Sequence, residues 1–101
     1  MHTVRSRNQV LIRLTRERWQ HIIDNHDELT RKLKLVLDAV ANPDIIIQGE
    51  QNELLAVRKA RNQWLVVIYK EIDSSDGFVI TAFLTSRIAY LLKKTIIWKK
   101  P

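Results

Sequence analysis

Two histidines and two threonines are the residues of this sequence whose chemistry could act on a substrate. His21 and His26 lie five residues apart, and Thr81 and Thr85 belong to the apolar run FVITAFLT. Histidine accepts or donates a proton near neutral pH, and a threonine hydroxyl donates hydrogen bonds. Metal-free cleavage of RNA needs a base near the 2′-hydroxyl, an acid near the leaving 5′-oxygen and donors around the phosphorane. The four residues together are consistent with that chemistry.

Cations and aromatic rings would complete such a site. Tyr69 or Phe83 could stack a base, and four cations are candidates for holding phosphate: Lys59, Arg61, Lys70 and Arg87. Each assignment has a structural alternative. His26 lies on an apolar stripe, threonine is common in strands, and charges around a hairpin are usually solvated. From the residues alone, both interpretations stay open.

Several enzyme classes lack their motifs here. Only Gly49 and Gly77 are glycines, so there is no glycine-rich phosphate loop, and the chain has no HExxH motif, no GxSxG motif and no cysteine. On one continuous helix His21 and His26 would project about 140° apart, and no carboxylate pattern completes a metal site. We therefore expect neither a metal nor another cofactor.

Length and charge bound the protein further. Its 101 residues, 46% hydrophobic and 28% charged, are typical of one folded domain, with residues 1–9 expected to be frayed. The net charge of +6 favours a polyanionic partner such as RNA. No apolar run is long enough to span a bilayer and no signal peptide is evident, so we expect a cytoplasmic protein without membrane contact.

The first half of the chain has helical periodicity. After a short strand candidate at Val10–Leu14, Thr15 has the chemistry of a helix cap. The first helix should place Trp19, Ile22, Ile23 and His26 on one stripe. A second helix should begin around Asn25–Asp27 and end at Asn42-Pro43, because the residue before proline avoids the helical region.

From Asp44 onward the period changes to that of strands. Four are expected, at Ile45–Gln48, Leu54–Lys59, Trp64–Ile72 and Phe78–Thr85, each joined by a connection short enough for an antiparallel hairpin. In the last strand, simple alternation puts Ala82 and Leu84 on one face with Phe78 and Ile80, and Thr81, Phe83 and Thr85 on the other with Val79. Two further segments are ambiguous: Arg87–Lys94 could be helical and Thr95–Trp98 an edge strand.

These elements predict an α+β fold, with two N-terminal helices packed on a curved four- to five-stranded antiparallel β-meander. The helices should cover one sheet face. The other face should be open, curved by the twist of the sheet and available to a ligand.

Five segments resemble small bacterial and phage-associated proteins of the barnase, EndoU, colicin-nuclease and RelE-like superfamily. They are RWQHIIDNHDEL at Arg18–Leu29, NPDIII at Asn42–Ile47, WLVVIYKE at Trp64–Glu71, ITAFLT at Ile80–Thr85 and KKTIIW at Lys93–Trp98. The pattern WxHIxxxH is intact, whereas the relatives tend to have HPE where this chain has His26-Asp27-Glu28. The resemblance implies the RelE/barnase-like arrangement of helices and meander.

The resemblance also implies a metal-independent endoribonuclease that cleaves by 2′-hydroxyl attack, often a toxin held by an acidic antitoxin or immunity protein. It carries the helical histidines onto His21 and His26, and the hydroxyl of the last core strand onto Thr81 or Thr85. The basic residue of a middle strand would be one of three: Lys59, Arg61 or Lys70.

A non-catalytic module is the competing prediction: a basic domain that binds RNA or a protein partner. The placement of the charges discriminates between the two. Convergence of Lys59, Lys70, Arg87 and a histidine with Thr81 on one concave patch would favour catalysis. Cations spread over the helix surface would favour simple electrostatic binding.

Overall fold

A computed structural model describes residues 1–101 and contains a single seven-stranded mixed sheet with three short α-helices. The sheet order is β1-β2-β6-β5-β4-β3-β7. In chain order the elements are β1 (His2–Arg5), β2 (Leu11–Leu14), α1 (Arg16–Asn25), a 3₁₀ turn (Asp27–Leu29), α2 (Leu33–Ala41), β3 (Ile45–Gln48), β4 (Leu54–Ala60), β5 (Gln63–Glu71), β6 (Gly77–Thr85), α3 (Ala89–Leu92) and β7 (Ile96–Lys99).

The predicted fold class is wrong. The sheet has seven strands instead of four or five, it is mixed instead of antiparallel, and two strands precede the first helix. The hairpins of β3 to β6 follow from their short connections. By contrast, β2 pairs in parallel with β6, more than sixty residues later, at Ile12↔Gly77 and Arg13↔Phe78. No local pattern reports a pairing over that distance.

Residues 2–5, within the segment expected to be frayed, form the strand β1. β1 pairs antiparallel with β2, from His2↔Leu14 to Arg5↔Leu11. Ser6 is buried in the loop between them; its hydroxyl accepts from the Val10 amide at 3.3 Å and donates to the Glu71 carboxylate at 2.5 Å. This hydrogen bond ties the hairpin to the end of β5.

The helices begin and end for local reasons. The Thr15 hydroxyl accepts from the Arg18 amide at 3.1 Å and so caps α1. The helix ends at His26, whose φ and ψ of −138° and 70° are not helical. The predicted second helix starts later than expected, because the 3₁₀ turn intervenes and α2 begins only at Leu33.

Both faces of the sheet are partly covered. The larger core lies under α1 and α2 and includes Ile12, Ile22, Val40 and Tyr69. On the opposite face, which was expected to be open, the buried Leu91 of α3 packs on the middle of the sheet. This second face is therefore only partly accessible, and we call it the α3 face.

A bulge in β6 changes which of its residues lie on the α3 face. Tyr69 pairs with Val79 and Ile68 with Thr81, so Ile80 is the extra residue between the two pairs. Val79 therefore packs in the helix-covered core together with Ala82 and Leu84. The predicted alternation is correct from Thr81 to Thr85 and wrong before the bulge.

Tyr69 is fully buried in that core, and its hydroxyl has no hydrogen-bond partner. Burial, and secondarily the Glu71 carboxylate, raise the pKa of the phenol above its ordinary value of 10.0. The folded protein thus favours the neutral phenol. The free energy of unfolding therefore falls as the pH rises above 10, by about 1.4 kcal/mol per pH unit. The cause is that the phenol of the unfolded chain ionises at a lower pH than the buried one.

Tyr69→Phe is expected to remove this alkaline loss. At neutral pH it should also raise the free energy of unfolding by about 1 kcal/mol, since an unsatisfied buried hydroxyl disappears. Urea unfolding at pH 7 and pH 11 measures both effects, and the exposed Tyr90→Phe is the matched control. An equal alkaline loss in wild type and Tyr69→Phe would contradict the assignment.

None of the three helices is long and apolar enough to cross a membrane.

Candidate functional site

His26 lies where α1 meets the unpaired edge of β6. Beyond Phe78 no strand pairs with this edge, and α1 and the 3₁₀ turn contact β6 there instead. The His26 amide still donates to the Ile22 carbonyl at 2.8 Å, which fixes the residue at the end of the helix. Its imidazole packs against the ring of Phe83, with the ring centroids 6.2 Å apart and the planes tilted by 36°.

The imidazole is accessible. The side chain of His26 is 34% exposed, and its Nδ1 is 3.8 Å from an Oε2 of Glu28, too far for a hydrogen bond. Neither ring nitrogen has a hydrogen-bond partner within the protein, so both are available to a substrate or to water. Glu28 is close enough to orient the ring through a small movement of its flexible side chain.

A groove of about 480 Å³ opens on the α3 face beside Phe83. Leu55, Ile68 and Phe83 of the sheet are among the residues that line it, together with Tyr90 of α3. Tyr90 is 52% exposed. The groove therefore offers two aromatic rings, Phe83 and Tyr90, of which only Phe83 was a sequence candidate.

Only one of the two candidate threonines has a free hydroxyl. Thr81 pairs with Ile68, faces the same side as Phe83 and makes no side-chain hydrogen bond within the protein. The Thr85 hydroxyl instead accepts from the Arg87 amide at 3.0 Å and donates to the Arg87 carbonyl at 3.4 Å. Thr85 thus stabilises the turn after β6, and Thr81 is the better partner for a phosphate.

No protein-family model, no curated protein and no solved structure matches this chain. The family resemblance stays a prediction.

The candidate cations do not converge on His26. The Lys59 ammonium lies 4.5 Å from the ring centroid of Trp64 on the α3 face. Lys70 is four residues farther along β5 than Val66, the partner of Phe83, and thus about 13 Å away at the usual rise of a strand. Arg61 occupies the β4–β5 turn, and Arg87 is exposed in the turn after β6.

Two other candidates lie apart from His26. His21 is exposed on α1, whereas the buried side of this helix is formed by Ile22 with Trp19 and Ile23. Tyr69 is fully buried, so its ring offers no face to a base. The first helix therefore brings one histidine, His26, to the sheet.

Two aromatic residues on the accessible side were not among the predicted site residues. Trp64 is half-buried on the α3 face with Lys59 over its ring. The sequence does indicate that Lys59 and Trp64 are neighbours, because a hairpin with the two-residue connection Arg61-Asn62 places them directly opposite each other. Tyr90 lies in the segment whose structure was ambiguous, and no signal in the sequence marks it.

The rim of the groove carries positively and negatively charged side chains. Lys94 forms an ion pair with Glu50 at 3.2 Å, and Glu53 lines the same groove. No group of three or more His, Asp or Glu side chains is placed to hold a metal ion.

Proposed function

We propose that this protein is a metal-independent endoribonuclease that cleaves RNA at the unpaired edge of β6. The observation that carries the proposal is the accessible His26 imidazole, packed on Phe83 of β6. Thr81, two residues before Phe83 on the same sheet face, adds a hydroxyl that makes no hydrogen bond within the protein. A proton-transfer group thus contacts a stacking ring whose neighbour on that face is a hydrogen-bond donor. These are three of the parts that attack by a 2′-hydroxyl requires.

The reaction would proceed by transfer within the RNA strand. The 2′-oxygen bonds to phosphorus as the P–O5′ bond breaks. His26 takes the proton of the 2′-hydroxyl while a solvent water protonates the leaving 5′-oxygen, or His26 protonates the 5′-oxygen while a water takes the 2′-hydroxyl proton. Thr81 donates a hydrogen bond to a non-bridging phosphate oxygen, where negative charge increases in the transition state. The products are a 2′,3′-cyclic phosphate and a free 5′-hydroxyl.

The surrounding groups would hold the strand in register. Phe83 and Tyr90 can stack bases next to the scissile phosphate. Lys59 lies on the same face, one row of side chains along and two strands across, where it can attract a neighbouring phosphate. A basic ribonuclease would act in the cytoplasm, and an acidic antitoxin or immunity protein would be its natural inhibitor.

The test uses purified protein in EDTA with a labelled RNA oligonucleotide and its 2′-O-methyl counterpart. We expect cleavage of the RNA only, with products that end in a 2′,3′-cyclic phosphate. Cleavage of both strands, or products bearing a 5′-phosphate, would contradict attack by the 2′-hydroxyl.

A non-catalytic RNA-binding module is the second candidate, and one observation favours it. The candidate cations Lys70 and Arg61 are not gathered around His26, so the phosphate at the proposed site lacks a dedicated positive charge. A folded protein that binds the RNA oligonucleotide and leaves it intact would support this candidate over the endoribonuclease.

A further inference from the structure

A second groove, of about 650 Å³, lies at the β4–β5 hairpin where it faces the beginning of α2. It is separate from the groove beside Phe83 and Tyr90, since the two share no lining residue. Its polar lining consists of four cations and two amides: Lys32, Arg58, Lys59, Arg61, Asn62 and Gln63. No acidic residue lines it. We call it the hairpin groove.

Three of its four positive charges are uncompensated. Arg58 is held by Asp38 at 2.8 Å and by the Asn42 carbonyl at 3.0 Å, so its charge is neutralised. The side-chain charges of Lys59, Arg61 and Lys32 form no ion pair within 4.0 Å, although the Lys59 backbone amide donates to the Asp44 carboxylate at 2.7 Å. The ammonium of Lys32 donates to the Glu28 backbone carbonyl at 3.1 Å, which fixes its position without cancelling its charge.

The backbone at Arg61 holds one of these charges in a strained conformation. Arg61 has φ of 58°, in the left-handed region that glycine adopts without steric cost. A residue with a Cβ atom in this conformation lowers the stability of the folded protein by on the order of 1 kcal/mol. Arginine thus occupies a turn position that glycine would fill more stably, and this residue lines the groove.

The hairpin groove continues toward the proposed site around the end of the sheet. Lys59 lines the groove and also places its ammonium over Trp64 on the α3 face. Trp64 pairs with Thr85, two residues from Phe83 on the same face. A strand bound at His26 can therefore pass Trp64 and Lys59 and reach the hairpin groove.

We infer that the hairpin groove binds the sugar-phosphate backbone of single-stranded RNA away from the cleavage point. The inference rests on the proposed function for the class of ligand. Its uncompensated cations suit phosphates, and its two amides can contact riboses or base edges. Short RNAs would occupy only the proposed site at His26 and Phe83, whereas longer ones would be held at both places.

Binding of a 2′-O-methyl 12-mer, followed by fluorescence anisotropy over a range of salt concentrations, tests the inference without any cleavage. Arg61→Gly and Lys32→Gln remove groove charges, and Lys34→Gln removes an exposed charge of α2 that does not line the groove. We expect each groove variant to weaken binding about 3- to 10-fold and to lower the salt slope by about 0.7. The Lys34→Gln control should change affinity by less than about 2-fold.

Equal losses in the control and the groove variants would overturn the inference in favour of diffuse attraction. Unchanged RNA binding in both groove variants would also overturn the inference. An acidic protein would then be the ligand suited to the groove. Because Arg61→Gly relieves backbone strain, loss of folding should not complicate its result.

Cleavage separates this inference from the proposed function. With Arg61→Gly, KM for the RNA 12-mer should rise while cleavage of a dinucleotide, too short to reach the groove, is unchanged. An equal defect on both substrates would place Arg61 at the cleavage point and refute a separate groove. If wild type cleaves neither substrate but the binding pattern holds, only the proposed endoribonuclease activity fails.

Discussion

His26→Gln is expected to reduce the rate of RNA cleavage by about 10²- to 10⁴-fold, the usual contribution of one acid–base group. Glutamine keeps the polarity and much of the volume of histidine but cannot exchange a proton near neutral pH. Because His26 is partly exposed and makes no side-chain hydrogen bond, the fold should tolerate the change. Single-turnover cleavage of a labelled oligonucleotide in EDTA measures the loss.

The matched control is His21→Gln, five residues earlier and exposed on the same helix. It should keep the wild-type rate within about 2-fold, because its side chain is directed away from the sheet. Both variants should bind the 2′-O-methyl strand with wild-type affinity. A folded His26→Gln protein that cleaves at the wild-type rate would remove His26 from the mechanism, and a loss restricted to His21→Gln would move the site to the outer side of α1.

Gly77→Ala is expected to lower the free energy of unfolding by about 3 kcal/mol or more. Gly77 is buried at the start of β6, where it pairs with Glu71 on one side and with Ile12 on the other. A Cβ there would lie 2.4 Å from the Lys70 carbonyl oxygen and 2.6 Å from the Ile12 Cδ1. A backbone oxygen cannot rotate away, so the three-strand junction must shift.

Gly49→Ala provides the comparison for this prediction. An added Cβ at Gly49 also meets a close neighbour, but the obstacle is the flexible carboxylate end of Glu53. That side chain can rotate, with loss of its hydrogen bond to the Gln51 amide, so we expect a cost below about 1 kcal/mol. Urea denaturation of both variants measures the difference. Equal and small effects would mean that the β2–β6 junction is looser than described.

The junction at Gly77 also explains how the fold creates the candidate site. β2 pairs only with the first two residues of β6, Gly77 and Phe78. The rest of this edge of β6 has no strand partner. The end of α1 can therefore approach β6 and place His26 on Phe83. A longer β2 would cover the edge and exclude the histidine.

Most individual elements could be predicted from sequence, whereas their assembly could not. The apolar period and the turn residues locate the helices and β3 to β6, because these signals are local. The pairing of β2 with β6 and of β7 with β3 brings together distant segments, and nothing in a short window encodes it. The amino-terminal strand was missed for a related reason: its partner is β2, and its anchor, Ser6, bonds to Glu71.

The candidate site was only partly predictable for the same kind of reason. Thr81 and Phe83 were assigned to the correct face because strict alternation holds after the bulge at Ile80. Nothing in the sequence shows that the Thr85 hydroxyl is used by its own turn, or that Tyr69 is fully buried. Distances between cations also depend on the register of the hairpins. The sequence therefore could not show that Lys59 and Lys70 lie far apart in the sheet.

The most direct measurement of the central claim is incubation of total RNA with wild type and with His26→Gln, side by side in EDTA, on a denaturing gel. The account predicts that wild type degrades the RNA, that the chelator does not prevent it, and that His26→Gln leaves the RNA intact while circular dichroism confirms its fold. Intact RNA with folded wild type, or equal degradation by both proteins, would contradict it.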